Sequence, residues 1–222
     1  MISIVMPCYN CETSLVRTAE CIRAQTVADW ELIAVDDGSS DGTGAALDAL
    51  ARADARIRVI HQENGGLSAA RNTGIDWVFA NSASRWIAFV DSDDWVHPDF
   101  LKVLYETAEQ TLCKLSVCDY FRTSGKDFPA QPDGEVRKLS SGDYYCGRFH
   151  NGGTATAWNK LYHRSLFQKL RYPVGKLHED EFTTYRLVYQ VKEVGFSPRV
   201  LYAYYQNPAG IMKSAWSPKR LD

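Results

Sequence analysis

The 222 residues are 45% hydrophobic and 12% aromatic, enough to bury one substantial core, so the size favours one large domain or a domain with a subdomain. With 25 Lys plus Arg against 27 Asp plus Glu the charges nearly cancel, which leaves no broad basic field for a nucleic-acid backbone and argues against nucleic acid as a partner. No apolar run approaches the roughly 20 residues needed to cross a bilayer, and the start MISIVMPCYN lacks the basic and apolar regions of a signal peptide, so a soluble, cytoplasmic chain is expected.

In chain order, short apolar runs alternate with helical patterns: Ile2–Pro7 then Glu12–Ala24, Glu31–Val35 then Thr43–Ala53, Ile57–His61 then Leu67–Phe79, Trp86–Val90 then Pro98–Glu109. This alternation predicts right-handed crossovers and an α/β, doubly wound, mostly parallel sheet. The second half reads as a further strand at Leu115–Tyr120, a turn-rich stretch at Ser124–Gly134, and a Gly-rich lid or loop at Gly147–Gly153. Ala157–Tyr162 then looks extended, Arg164–Lys169 and Asp180–Tyr189 helical, and Arg199–Tyr205 an aromatic strand whose Tyr202–Tyr205 could pack internally or form an interface. The six cysteines are too few and scattered for a disulfide scaffold; Cys8 and Cys11 form a C-x-x-C, but no second ligand pair accompanies them, and they read as free thiols.

In doubly wound sheets, ligands bind beyond the carboxyl ends of the strands, and four such ends here are polar. Asp91-Ser92-Asp93-Asp94 closes an almost wholly apolar run, and Asp91 and Asp93, two apart, can present oxygens on one side to a hard cation shared with substrate phosphates. The alternative is that Asp93 or Asp94 caps the helix begun by Pro98. Asp36-Asp37-Gly38-Ser39-Ser40-Asp41-Gly42 suits a tight turn into a helix capped by Ser40 or Asp41, while Asp36 or Asp37 could accept a base N–H. Tyr9 could stack on that base, with Pro7 shaping the turn. Asn64-Gly65-Gly66-Leu67-Ser68 with Arg71 suits a diphosphate at a helix N-terminus, or else an ordinary Gly-rich helix entry with Arg71 in a salt bridge. His178-Glu179-Asp180-Glu181 places three acids at a helix start, where mutual repulsion raises the proton affinity of at least one, as a general base requires.

Together these stretches, with Ala157-Trp158-Asn159-Lys160-Leu161-Tyr162, resemble the inverting family-two glycosyltransferases of bacterial capsule, exopolysaccharide and cell-wall synthesis. The resemblance implies the Rossmann-like glycosyltransferase A fold as a single domain. Residues 1–120 would form the nucleotide-sugar-binding half and 121–222 a smaller acceptor-side half. It implies that Pro7, Tyr9, Asn10, Asp37, Asn64, Gly65, Ser68, Arg71, Asp91 and Ser92 bind a UDP-hexose or UDP-N-acetylhexosamine, Asp37 at the uracil and Arg71 near the diphosphate. Asp93, helped by Asp91, would hold Mn2+ or Mg2+. Asp180 would be the base, with Glu179 orienting the acceptor or loop. Trp158, Lys160 and His178 would face a saccharide or lipid-linked acceptor. Cys8 departs from the aliphatic residue usual there. Family members commonly continue past the stretches matching Ile211–Ser214 and Lys219–Asp222 into helices that contact membrane or partner, which implies peripheral association with the inner face of the cell membrane.

Two other classes compete. A dinucleotide dehydrogenase is contradicted by Cys8-Tyr9-Asn10-Cys11-Glu12, where G-x-G-x-x-G would stand. A non-catalytic nucleotide- or carbohydrate-binding protein needs Asp37 and Arg71 but has no use for the Glu179-Asp180 pair.

Overall fold

The computed structural model describes residues 1–147 and 154–206. Most of the Gly147–Gly153 segment and both C-terminal stretches named above lie outside the described residues. Strands β1 (Ile2–Cys8), β2 (Trp30–Asp37), β3 (Ile57–Gln62) and β4 (Trp86–Phe89) run parallel in the order β3-β2-β1-β4. Helices α1 (Glu12–Arg23), α2 (Thr43–Ala53) and α3 (Leu67–Asn81) make the crossovers. Every residue of β1 is buried, which explains its unbroken apolar run: a central parallel strand is covered on both faces. The buried face of α1 is Leu15, Thr18, Ala19 and Ile22, spaced as one helical stripe. On the other side of the sheet α3 lies so close to β1 that a Cβ on Gly74 would stand 2.4 Å from Val5 Cγ1, a contact only glycine avoids.

The second half continues the same sheet. After the two-residue β5 (Trp95–Val96) and α4 (Phe100–Thr111) come β6 (Leu115–Thr123), β7 (Arg137–Ser140), the short α5 (Ser141–Tyr145), β8 (Lys160–His163), α6 (Glu179–Val191) and β9 (Glu193–Tyr205). β8 inserts antiparallel between β4 and β6, and β9 pairs parallel with β6 and antiparallel with β5 and β7. The mostly parallel half is thus extended by a mixed half within one sheet. Two expectations need correction. The Arg164–Lys169 helix is a single 3-10 turn, Arg164–Phe167. The final strand begins six residues earlier than its aromatic pattern, because Glu193–Ser197 pair with β6 and β7 without an aromatic repeat. Of the two alternatives for the aromatic strand, Tyr202 takes internal packing: it is fully buried, its ring packed against Phe100 and Trp158. All six cysteines are free thiols. Among the described residues no helix is long and apolar enough to cross a membrane.

At the edge of the parallel half, His61 bridges β2 to α2, its Nδ1 2.9 Å from Asp36 and its Nε2 3.0 Å from Asp48. These carboxylates, Asp36 first, raise the imidazole's proton affinity. Burial opposes ionisation of Asp36, but hydrogen bonds from Ser39 and His61 outweigh it and hold the carboxyl below its usual range. A histidine raised in the folded state stabilises below its unfolded pKa of about 6.5, whereas a depressed aspartate does so above about 3.9. The clamp is therefore complete between those values and lost as pH rises through the folded histidine pKa. His61→Asn should cost more stability at pH 6 than at pH 9, measured by urea denaturation; an equal loss at both would show that the imidazolium contributes nothing.

Candidate active site

The carboxyl ends of β1, β2 and β4 open on one edge, and the loop after β4 is the best-anchored part of it. Val90 N–H donates to Val5 O, carrying the ladder one residue beyond β4 before Asp91 turns away. Ser14 and Thr18 hydroxyls donate to Ser92 O, each at 3.0 Å, and Thr18 Oγ1 also donates to Asp94 O at 2.6 Å. Arg17 donates to Asp93 O while its guanidinium lies 3.9 Å from the Trp95 ring centre. Asp94 is completely buried: its carboxylate accepts Tyr202 Oη–H and Tyr205 N–H, both at 2.7 Å, and Tyr202 Oη accepts Asp91 N–H at 3.1 Å. The capping alternative for Asp94 is thereby corrected, since α4 starts after Asp99 and the acid serves β9 instead. Burial, then the charges of Asp91 and Asp93, push the Asp94 carboxyl well above its usual range.

Asp91 and Asp93 remain partly accessible above this clamp. Among the described residues, no three acids, histidines or cysteines form a closed metal cage. A pair of carboxylate oxygens nevertheless fits Mg2+ or Mn2+, which keep several waters and share substrate phosphates rather than fill an all-protein site. The negative potential already felt by Asp94 is what such an ion would offset.

Arg71 is only 2% exposed and is held in a salt bridge, the alternative the sequence offered for it. One terminal nitrogen donates to Asp91 Oδ1 at 2.8 Å and the other to Glu179 Oε1, tying α3, the loop after β4 and the start of α6 at one point. The resulting charges outweigh the burial that would lower its proton affinity, so the guanidinium stays charged. Tyr172 lies beneath it at 5.4 Å, and neither Tyr172 Oη nor Arg71 Nε has a hydrogen-bond partner among the described residues.

Asp37 is likewise buried and engaged. Its Oδ1 accepts Gly65 N–H at 2.9 Å and a Gln62 amide hydrogen at 2.6 Å, and its Oδ2 accepts Gly66 N–H at 2.8 Å. The carboxylate thus fixes the two glycine amides that lead into α3. Gly38, at φ 72°, brings β2's end so near Asn64 that a Cβ would stand 2.7 Å from its amide nitrogen. Ser68 is withdrawn too, its hydroxyl donating 2.7 Å to Pro173 O. Pro7 is buried in β1, whereas Tyr9 is 54% exposed beside Asn10, whose Oδ1 accepts Ser40 N–H at 2.8 Å. Asp41, not Ser40, accepts the Thr43 amide at the start of α2. The accessible groups on this side are therefore Tyr9, Asn10, Asn64, Gly65, Ser92 and the two carboxylates of Asp91 and Asp93.

The expected acceptor side also rearranges. Trp158 is buried, stacked between Tyr202 at 4.6 Å and Tyr204 at 5.2 Å, so it braces the Asp91–Asp94 loop from behind. Lys160, expected to face an acceptor, is wholly buried; its ammonium donates to Thr156 O, Thr156 Oγ1 and Asn159 Oδ1, which holds the bend before β8. Burial lowers its pKa to about 7, against the attraction of Asp180. His178 adopts left-handed backbone at φ 56° and accepts Glu181 N–H at its carbonyl, turning the chain into α6. Glu179 is committed to Arg71. Asp180 stays partly accessible and accepts Glu181 N–H at 3.0 Å; burial and then Glu179 raise its pKa to about 6.

Tyr202, Tyr172 and Asp94 are the functional neighbours that sequence reasoning missed. The aromatic run of β9 was visible, but nothing in it marked Tyr202 as the group that holds Asp91. Breaking a buried ion pair typically costs about 3–5 kcal/mol, so Arg71→Ala should destabilise the chain by that order in chemical denaturation. Tyr202→Phe, which strands Asp91 N–H and leaves the Asp94 carboxyl one partner short, should cost about 1–3 kcal/mol. A loss in either variant no larger than that of a surface substitution would show that the corresponding clamp is unimportant.

A family model described as Glycosyl transferase family 2 matches residues 3–171. The chain is 34% identical over 211 residues to the putative glycosyltransferase EpsH of Bacillus subtilis, covering 91% of this chain and 60% of that protein. It is 31% identical to glycosyltransferase GlyA of Streptococcus pneumoniae over 98% of this chain and 32% of that protein. The chain thus spans less than two thirds of either relative. Staphylococcus aureus TarS 1–349 in complex with UDP-GlcNAc has a TM-score of 0.80 at 19% identity, covering 97% of this chain and 61% of that one. Mannosyltransferase PcManGT from Pyrobaculum calidifontis in complex with GDP-Man and Mn2+ gives 0.71 at 16% identity, over 94% of this chain and 58% of that one. These two likenesses show a shared fold, the Rossmann-like glycosyltransferase A architecture. From the family match across most of the sequence, and the order in which its motifs line one sheet edge, the chain belongs to glycosyl transferase family 2.

Proposed function

We propose that the chain transfers a hexose or N-acetylhexosamine from a UDP-sugar to a hydroxyl of a saccharide or lipid-linked saccharide, with inversion, in bacterial surface polysaccharide synthesis. One observation carries this reading. Of the two adjacent acids at the start of α6, Glu179 is consumed by Arg71, while Asp180 remains accessible with its pKa raised to about 6, poised for proton transfer near neutrality. Residues 1–120 form the donor half and 121–222 the acceptor half. The proposed location is the cytoplasm, peripheral to the inner face of the membrane.

Tyr9 offers its exposed ring to the uracil, with Asn10 and Asn64 at the rim. Asp37 acts at one remove, holding the Gly65–Gly66 backbone in place for the nucleotide. Asp93 and Asp91 would hold Mn2+ or Mg2+, which supplies the positive charge that stabilises a departing diphosphate. Arg71 keeps Asp91 and Glu179 at a fixed separation, so the donor-side carboxylates and the base are set relative to each other before substrate arrives. Asp180 accepts the proton of the acceptor hydroxyl as that oxygen attacks the anomeric carbon from the face opposite UDP. A UDP-sugar as donor is supported by the complex of TarS, which has the same fold, with UDP-GlcNAc.

The test is UDP release from a panel of UDP-sugars, with and without Mn2+, in the parent and Asp180→Asn. Asparagine keeps the shape but takes no proton at neutral pH, so turnover should fall by at least about a hundredfold while UDP affinity is little changed. Because the base acts only when ionised, kcat/KM in the parent should climb as pH rises through about 6 and level off above it. A variant that retains full turnover, or a parent profile with no limb there, would remove Asp180 from the mechanism.

A further inference from the structure

Beyond the base, α6 carries an outer face that the reaction above does not use. Phe182, Tyr185 and Tyr189 are 38%, 41% and 61% exposed, three and four residues apart on one side of the helix. Tyr145 of α5 stacks on Tyr189 at 5.6 Å, extending the aromatic surface. Beside it, between α6 and the chain at 171–176, lies a cavity of about 110 Å³ lined by Arg171, Pro173, Lys176, Phe182, Thr183 and Arg186. A liquid water occupies roughly 30 Å³, so there is room for one small polyatomic anion with some of its hydration. Its lining includes Arg171, Lys176 and Arg186 and no carboxylate, Arg171 being already paired with Asp76.

The cavity walls are fixed in advance. Arg171 is bolted to α3 through Asp76, with Nε and Nη2 at 2.9 and 2.6 Å from Oδ1. Asn72 pairs both backbone groups of Tyr172, each at 2.8 Å, and Ser68 holds Pro173 O. On the helix side, Arg186 Nε donates to Tyr185 Oη at 3.0 Å, which orients its guanidinium fork. Preorganised guanidinium and ammonium groups around an anion-sized space suit a phosphate, whose several oxygens accept from more than one direction. None of these groups belongs to the loop after β4 or to the β1 and β2 ends, so the cavity is separate from the place proposed for the donor diphosphate. At 1.5 Å per residue, Arg186 lies about 9 Å along the helix from Asp180, within reach of a substituent near the attacking hydroxyl of an acceptor chain.

We propose that this cavity binds a phosphate group carried by the saccharide acceptor, with the Phe182–Tyr185–Tyr189 face receiving the sugar rings next to it. This deepens the proposed function and rests on its assignment of Asp180 to the acceptor side. The acceptor class is then a phosphorylated or phosphodiester-linked glycan rather than a neutral one.

Glucose 6-phosphate titrated calorimetrically into the chain saturated with UDP and Mn2+ is the direct probe, with glucose, glucuronate and vesicles of phosphatidylglycerol in phosphatidylcholine alongside. Glucose 6-phosphate should bind at least about tenfold more tightly than glucose or glucuronate, consistent with charge-assisted hydrogen bonds. The double variant Lys176→Gln with Arg186→Gln should lose that advantage while keeping the parent's UDP affinity and thermal midpoint, and Tyr185→Ala should weaken sugar phosphate binding on its own. Unchanged binding in the double variant would overturn the proposal. So would equal binding of glucuronate, displacement of UDP by glucose 6-phosphate, or binding to the vesicles alone. Failure of the parent to bind UDP with Mn2+ would instead count against the donor assignment, which the sugar phosphate titration, repeated without UDP, leaves separately measurable.

Discussion

The fork of Arg71 between Asp91 and Glu179 is the constraint on which the arrangement of the site depends. A guanidinium buried with one carboxylate would satisfy its charge, yet here it takes two, one from the loop after β4 and one from the start of α6. Neither acid can shift without stranding a cation in a medium where an unpaired charge is expensive. Bidentate geometry matters as much as charge, since a lysine ammonium in the same place is a point charge with no fixed directions. The arrangement also divides labour within an adjacent pair of acids: Glu179 is immobilised, and Asp180 next to it is left with raised proton affinity.

A second constraint runs through aromatic rings. Tyr204, Trp158 and Tyr202 stack in sequence, and the last of these hands its hydroxyl to both Asp91 and Asp94. Rings have few rotatable bonds, so a stack fixes a loop with little loss of side-chain entropy. Lys160 does the equivalent for the bend that presents Trp158, through hydrogen bonds rather than stacking. Trp158 and Lys160, expected to face an acceptor, are both buried in supporting contacts.

The parallel half was legible because β1, β2 and β4 are buried along nearly their whole length and α1 shows a clean stripe. The clustering of polar strand ends followed from the same alternation. Side-chain commitments were not legible. A carboxylate at a strand end signals a ligand site equally well whether it faces solvent or, like Asp37, caps the amides of its own chain. Arg71 and Ser68 point the same lesson, because spacing predicts which turn a residue occupies but not which partner fills its hydrogen bonds. The mixed half was harder because β5 has two residues and β7 alternates mostly polar side chains, so neither carries the apolar periodicity that marks a strand.

The hydrogen bonds from β9 to the loop after β4 span 111 residues of sequence in two cases, Asp91 to Tyr202 and Tyr205 to Asp94. During synthesis the first strands and crossovers can collapse as they leave the ribosome, but the loop carrying Asp91 and Asp93 stays without its buried partners until the chain beyond Tyr205 has emerged. Loop closure over such a separation is slow, because its entropy must be lost before any contact rewards it. The nascent protein therefore carries a nearly complete sheet edge with an unorganised acidic loop, and binding competence arrives as one of the last events of folding. A protein cut short before β9 would be expected to accumulate as a compact, inactive intermediate rather than as a weaker version of the whole.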